Sequence, residues 1–91
     1  MSNFENFIDL VFSIKQKDIL EDFLIGVTTC KERDELSKRI EIVERIIAGE
    51  SQQKIAKQLG VGISTVTRGS KELAAGRFRV LRNVKTQKYE A

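Results

Sequence analysis

No proline interrupts this 91-residue sequence, and strict apolar–polar alternation is hard to find anywhere in it. Apolar residues instead recur three and four positions apart, the period at which side chains share one face of an α-helix, so the chain reads as helical throughout. Phe4, Phe7, Ile8 and Val11 make such a face, widened by Leu10, Phe12 and Ile14. After the polar break Lys15-Gln16-Lys17-Asp18, a second set follows: Ile19, Leu20, Phe23, Leu24 and Val27. It predicts a second helix ending near Gly26 and the β-branched run Val27-Thr28-Thr29.

Thr29-Cys30-Lys31-Glu32 has the spacing of a capping box, in which a hydroxyl and a carboxylate satisfy first-turn amides, so a third helix starts near Cys30. Leu36, Ile40, Val43 and Ile47 occupy one face of it, Ile42 and Ile46 another, and Gly49 is a stop signal. A helix of this kind asks for burial on two sides. A chain of this length, expected to form one domain over residues 1–91, has little interior to give it. Self-association through residues 1–50 resolves the conflict; a compact monomer whose wide stripes face one core is the other solution.

Charge is distributed unevenly. Residues 1–50 sum to −4 and residues 51–91 to +7, so a basic C-terminal half suited to phosphates follows an acidic N-terminal half. A solvated basic tail would give the same sums. Hydrophobic residues at 41 % are too many for a disordered chain, and no apolar run approaches the ~18 residues that span a membrane. The first residues lack the basic and apolar regions of a signal peptide, so a cytoplasmic location is expected. Without histidine, and with Cys30 as the single cysteine, there is no internal disulfide and little from which to build a metal site or an acid–base pair. The chain is therefore expected to need no metal and not to be an enzyme.

The most specific segment runs from Ser51 to Arg68, within a span of about residues 51–75 that reads as a helix-turn-helix. Ile55, Leu59, Val61 and Val66 supply the apolar contacts between two short helices, and Ala56 is small where they cross. Gly60 permits the positive backbone dihedral of a sharp turn, and Ser51 is a cap. Short side chains let a helix approach base edges in the major groove, so Ile63, Ser64 and Thr67 are expected to read bases. Gln52, Gln53, Lys54, Lys57 and Lys71 are expected near the phosphates of duplex DNA, with Arg68 close by. Residues 76–91, with Phe78, Leu81 and Val84 at helical spacing, predict a short helix and then a basic tail.

Gly69 stands where such a motif commonly has a branched apolar residue. A glycine inside a helix costs about 1 kcal/mol relative to alanine, which asks for a reason. Close packing of helices is one; space for a flat ligand is another.

Arg39-Ile40-Glu41-Ile42-Val43-Glu44, Gly49-Glu50, Ser51-Gln52, Leu59-Gly60-Val61-Gly62-Ile63 and Thr67-Arg68-Gly69-Ser70 together resemble the tryptophan operon repressor family. The resemblance covers roughly residues 7–75 and is strongest over 31–70. It implies an all-α, Trp repressor-like domain in which two subunits intertwine as a homodimer. It also implies a repressor that binds a palindromic operator, with L-tryptophan as corepressor orienting the reading helices. By the same resemblance Arg39 and Arg68 flank an indole, Arg68 also holds the carboxylate, Thr29 lies at the ligand's polar end and Gly69 lies beside the ring. Guanidinium planes stack readily on such rings.

This sequence departs from the family in places. Gly26 and Thr28 stand where leucines are frequent, Glu72 replaces a serine that would contact the ligand's ammonium group, and one residue is missing between Gly49 and Ser51. Glu72 can bind an ammonium itself, or pair with Arg68 one turn earlier. Two further readings remain at this level: an effector-independent or differently liganded DNA-binding protein, akin to the replication initiator's DNA-binding domain, and a helical protein-interaction module.

Overall fold

The computed structural model describes residues 2–82, and the described residues contain helices and no strand. The chain divides into two compact units, residues 1–34 and residues 35–91.

The N-terminal unit holds α1 (Asn3–Ser13), α2 (Lys17–Val27) and the start of α3 (Cys30–Ile47). Ser2 Oγ accepts the Glu5 amide at 3.1 Å while Glu5 returns a carboxylate to the Ser2 amide, a reciprocal cap on α1. Thr29 and Glu32 make the expected equivalent on α3, at 3.1 and 2.8 Å. The Arg33 guanidinium donates to the carbonyls of Ile25 and Thr28 at 3.1 and 2.9 Å, placing a cation on carbonyls at the end of α2. Phe7 packs on Phe23 with ring centroids 5.9 Å apart, and Phe4 lies 6.4 Å from Phe7. Neither α1 nor α2 has a fully buried side chain, and Phe4, Leu10, Phe12, Ile25 and Val27 are at least half exposed.

The C-terminal unit holds the rest of α3, then α4 (Gln52–Leu59) and α5 (Ile63–Ala74). Gly49 ends α3 at φ +93°, its amide bonded to Ile46 and that of Glu50 to Arg45, which satisfies carbonyls that the last turn leaves without partners. Ser51 caps α4 through the Lys54 amide at 3.2 Å, and Gly60 takes φ +67° at its C-terminus, as the turn requires. Ile55 and Val66 are fully buried and Ile42 and Val43 nearly so, with Ala56, Leu59 and Val61 packed around them. Each such side chain contributes roughly 1.5–3 kcal/mol of burial.

Arg45 braces the junction between α3 and α4. Its Nε and Nη2 donate to Glu50 Oε1 at 3.0 and 2.7 Å, and Nη2 also bonds the Gln58 side chain. The hydrogen bond from Arg45 holds the Glu50 carboxyl below its ordinary pKa, and Glu50 in turn raises that of Arg45. Beyond α5 the chain turns at Gly76, φ +95°, and begins another helical turn at residues 79–82. Val84 and the expected basic tail lie outside the described residues.

Candidate nucleic-acid interface and effector cleft

The three residues between α4 and α5 set the first turn of α5 outward, with Ile63 about half exposed and Ser64 exposed. Val66, one position inside that turn, is fully buried and anchors the helix to its scaffold. Gln53, Lys54, Lys57, Arg68 and Lys71 are all exposed. Ser51, Gln53, Lys54, Lys57 and Gln58 line a shallow depression on α4. A surface so arranged offers amide donors and cations to an anionic polymer and a small, partly apolar tip to whatever lies between its charges.

Thr67 sits differently from Ser64. Its side chain is half-buried, and its hydroxyl donates to Gln52 Oε1 at 2.9 Å, so it does not stand clear of the helix as Ser64 does. Threonine's one hydroxyl sits close to the backbone, and the start of α4 supplies an acceptor within its reach. Gln52, expected at a phosphate, is thus engaged with α5 and is itself half-buried.

A cleft of about 410 Å³ opens between α3 and α5, all of it within the C-terminal unit. Arg39, Ile42 and Val43 line it from α3; Ser64, Thr65, Arg68, Gly69 and Glu72 line it from α5; Phe78 completes it. Four of the expected effector residues, Arg39, Arg68, Gly69 and Glu72, therefore converge. Thr29 belongs to the N-terminal unit, where its hydroxyl accepts the Glu32 amide in the cap of α3.

Of the two reasons offered for Gly69, the structure displays close packing directly. A Cβ at this position would lie 3.2 Å from Ile42 Cγ2 and 3.6 Å from Val43 Cγ2, tight enough that α3 would have to yield. No ion pair joins Arg68 to Glu72 among the described residues, so the competing pairing open to Glu72 is not made. Two arginines, a glutamate and a phenylalanine thus line the cleft together with the apolar Ile42 and Val43.

Phe78 escaped the sequence reading as a site residue. Its backbone adopts φ +63°, a left-handed conformation that costs a side-chain-bearing residue about 1–2 kcal/mol. Its spacing with Leu81 suggested a continuous helical face, and no residue-type signal marks a phenylalanine for this conformation.

These features make the chain a small all-helical protein with the features of a binding protein and none of an active site among the described residues, a cleft and an outward first turn sharing one element, α5. Its sequence matches the family described as Trp repressor protein over residues 2–87. It is 43 % identical over 74 residues to the Trp operon repressor homolog of Vibrio atlanticus, covering 80 % of this chain and 76 % of that one. The corresponding homolog of Vibrio cholerae is 42 % identical over 73 residues, covering 79 % and 71 % of the two chains. That of Chlamydia caviae is 35 % identical over 71 residues, covering 77 % and 70 %. The chain belongs to the Trp repressor family, a family of regulatory DNA-binding proteins and not of enzymes. Among the described residues no helix is long and apolar enough to cross a membrane.

Proposed function

We propose that this protein is a transcriptional repressor that binds a palindromic operator as a homodimer and takes L-tryptophan as its corepressor. The observation that carries the reading is that α5 supplies both surfaces: Ile63 and Ser64 face outward from its first turn, while Arg68, Gly69 and Glu72 line the cleft. A ligand seated against Arg68 and Glu72 bears on the same rigid helix that meets the bases. Arg39 and Arg68 hold the faces of the indole, Arg68 the carboxylate and Glu72 the ammonium group.

Basic groups on α4 and α5, Lys54, Lys57 and Lys71, neutralise phosphates and make the affinity fall with salt. Support for a dimer comes from the exposed apolar side chains of α1 and α2, a surface that a second copy would cover. Helix-turn-helix dimers, Trp repressors among them, present their two reading helices ~34 Å apart, one turn of the duplex.

Titration of the purified protein with L-tryptophan, with and without a duplex bearing the operator, tests the whole reading. Tryptophan tightens DNA binding and DNA tightens tryptophan binding by the same factor, because the two equilibria are linked. DNA affinity that is salt-sensitive but indifferent to tryptophan would replace the corepressor reading with an effector-independent one.

A further inference from the structure

We propose that Phe78 is a ligand-contacting residue of the cleft, its ring packing on the flat apolar part of the effector and so selecting for an aromatic side chain. This inference rests on the corepressor reading above and adds a residue to it.

Three observations converge on this role. Phe78 lines the cleft alongside Arg68, Gly69 and Glu72, so it borders the same space as the charged residues. It is half-buried although it follows the end of α5, whereas Arg77 and Arg79 on either side are exposed. Its backbone is held at φ +63° by a well-bonded setting. The turn at Gly76 is closed by bonds from Gly76 to Leu73 and from Arg77 to Glu72 at 3.1 and 3.0 Å. The Phe78 carbonyl accepts from Leu81 and Arg82, and the Arg82 guanidinium reaches back to the carbonyls of Leu73 and Arg77. A bulky residue kept in a disfavoured conformation by this many bonds is typical of a ligand clamp. Arginine planes, a carboxylate and a phenyl ring around one cleft provide for every part of an aromatic amino acid, and the ring is the part that distinguishes aromatic from aliphatic ligands.

The test uses the full chain and calorimetric titration with L-tryptophan, checked by the fluorescence of the bound ligand, since the protein has no tryptophan of its own. Phe78→Ala removes the ring and keeps the strained backbone position; Phe78→Gly removes the ring and relieves it. Both variants are expected to bind L-tryptophan about tenfold more weakly than the parent, the loss of one aromatic contact. Loss in the alanine variant alone would show that the backbone matters and not the ring, and would overturn the proposal. Unchanged or tighter binding in the glycine variant would overturn it too, by making Phe78 a bystander or a plug, while the corepressor reading stands. A parent protein that binds no L-tryptophan would withdraw both.

Discussion

In the N-terminal unit neither α1 nor α2 contains a fully buried side chain and Phe12 is 89 % exposed, whereas in the C-terminal unit Ile55 and Val66 are sealed completely. The helices of the first unit are well made locally, with reciprocal caps at Ser2–Glu5 and Thr29–Glu32, so their deficiency lies in packing and not in helix formation. Capping satisfies backbone groups but buries almost nothing, and tertiary stability comes from burial. The contrast teaches that one half of this chain carries its own core and the cleft, while the other carries well-capped helices whose apolar side chains stay largely exposed.

Three measurements break or sharpen that contrast. The largest effect belongs to Ile55→Ala, which empties the centre of the C-terminal core and is expected to cost about 2–5 kcal/mol in denaturant unfolding. A loss below that range would mean that this unit, too, depends on contacts outside the chain. Phe12→Glu comes next. In an isolated chain so exposed a site should tolerate the change; across a dimer interface it should weaken self-association about tenfold or more, read by sedimentation against concentration. Identical sedimentation of variant and parent would leave the N-terminal face without a second copy to cover it.

The smallest effect concerns the brace at Glu50. Because Arg45 depresses the Glu50 pKa, its stabilisation is complete above the ordinary carboxylate range and is lost as the pH falls through that depressed value. Glu50→Gln should therefore be less stable than the parent near neutrality, and the gap should close in acid. A gap that persists at low pH would assign the difference to the packing and hydrogen bonding of the substituted side chain instead of to its charge.

Much of this was legible from residue types alone, because the signals are local. Thr29 with Glu32, Gly49, Ser51 and Gly60 each announce a helix end through chemistry completed within a few residues, and the structure places helix ends there. The Ser2–Glu5 cap carries the same signature at the start of α1. Arg39, Arg68 and Glu72 followed from the family resemblance, whereas Gly69 stood out by itself as a glycine inside a helix.

What stayed hidden depends on long-range approach. Thr67 meets Gln52 across fifteen positions, and Arg45 meets Gln58 across thirteen. No periodicity encodes either meeting. Gly69 was ambiguous for the same reason: only the distance to Ile42 shows how closely α3 and α5 approach. Phe78 was invisible as a site residue because its role depends on a backbone reversal whose sequence cue, Gly76, says where the chain turns but not where the next ring lands.

Ser64 is both exposed at the tip of α5 and part of the cleft wall, so a single short rod carries both the outward turn and one side of the cleft. On the corepressor reading, any drift in the taste of the cleft for its small molecule would be felt at the promoter, and any drift in operator preference would be felt in the cleft. On that reading, descendants of such a regulator would change corepressor and address together, or compensate at Arg39 and Phe78, cleft residues that lie outside that rod.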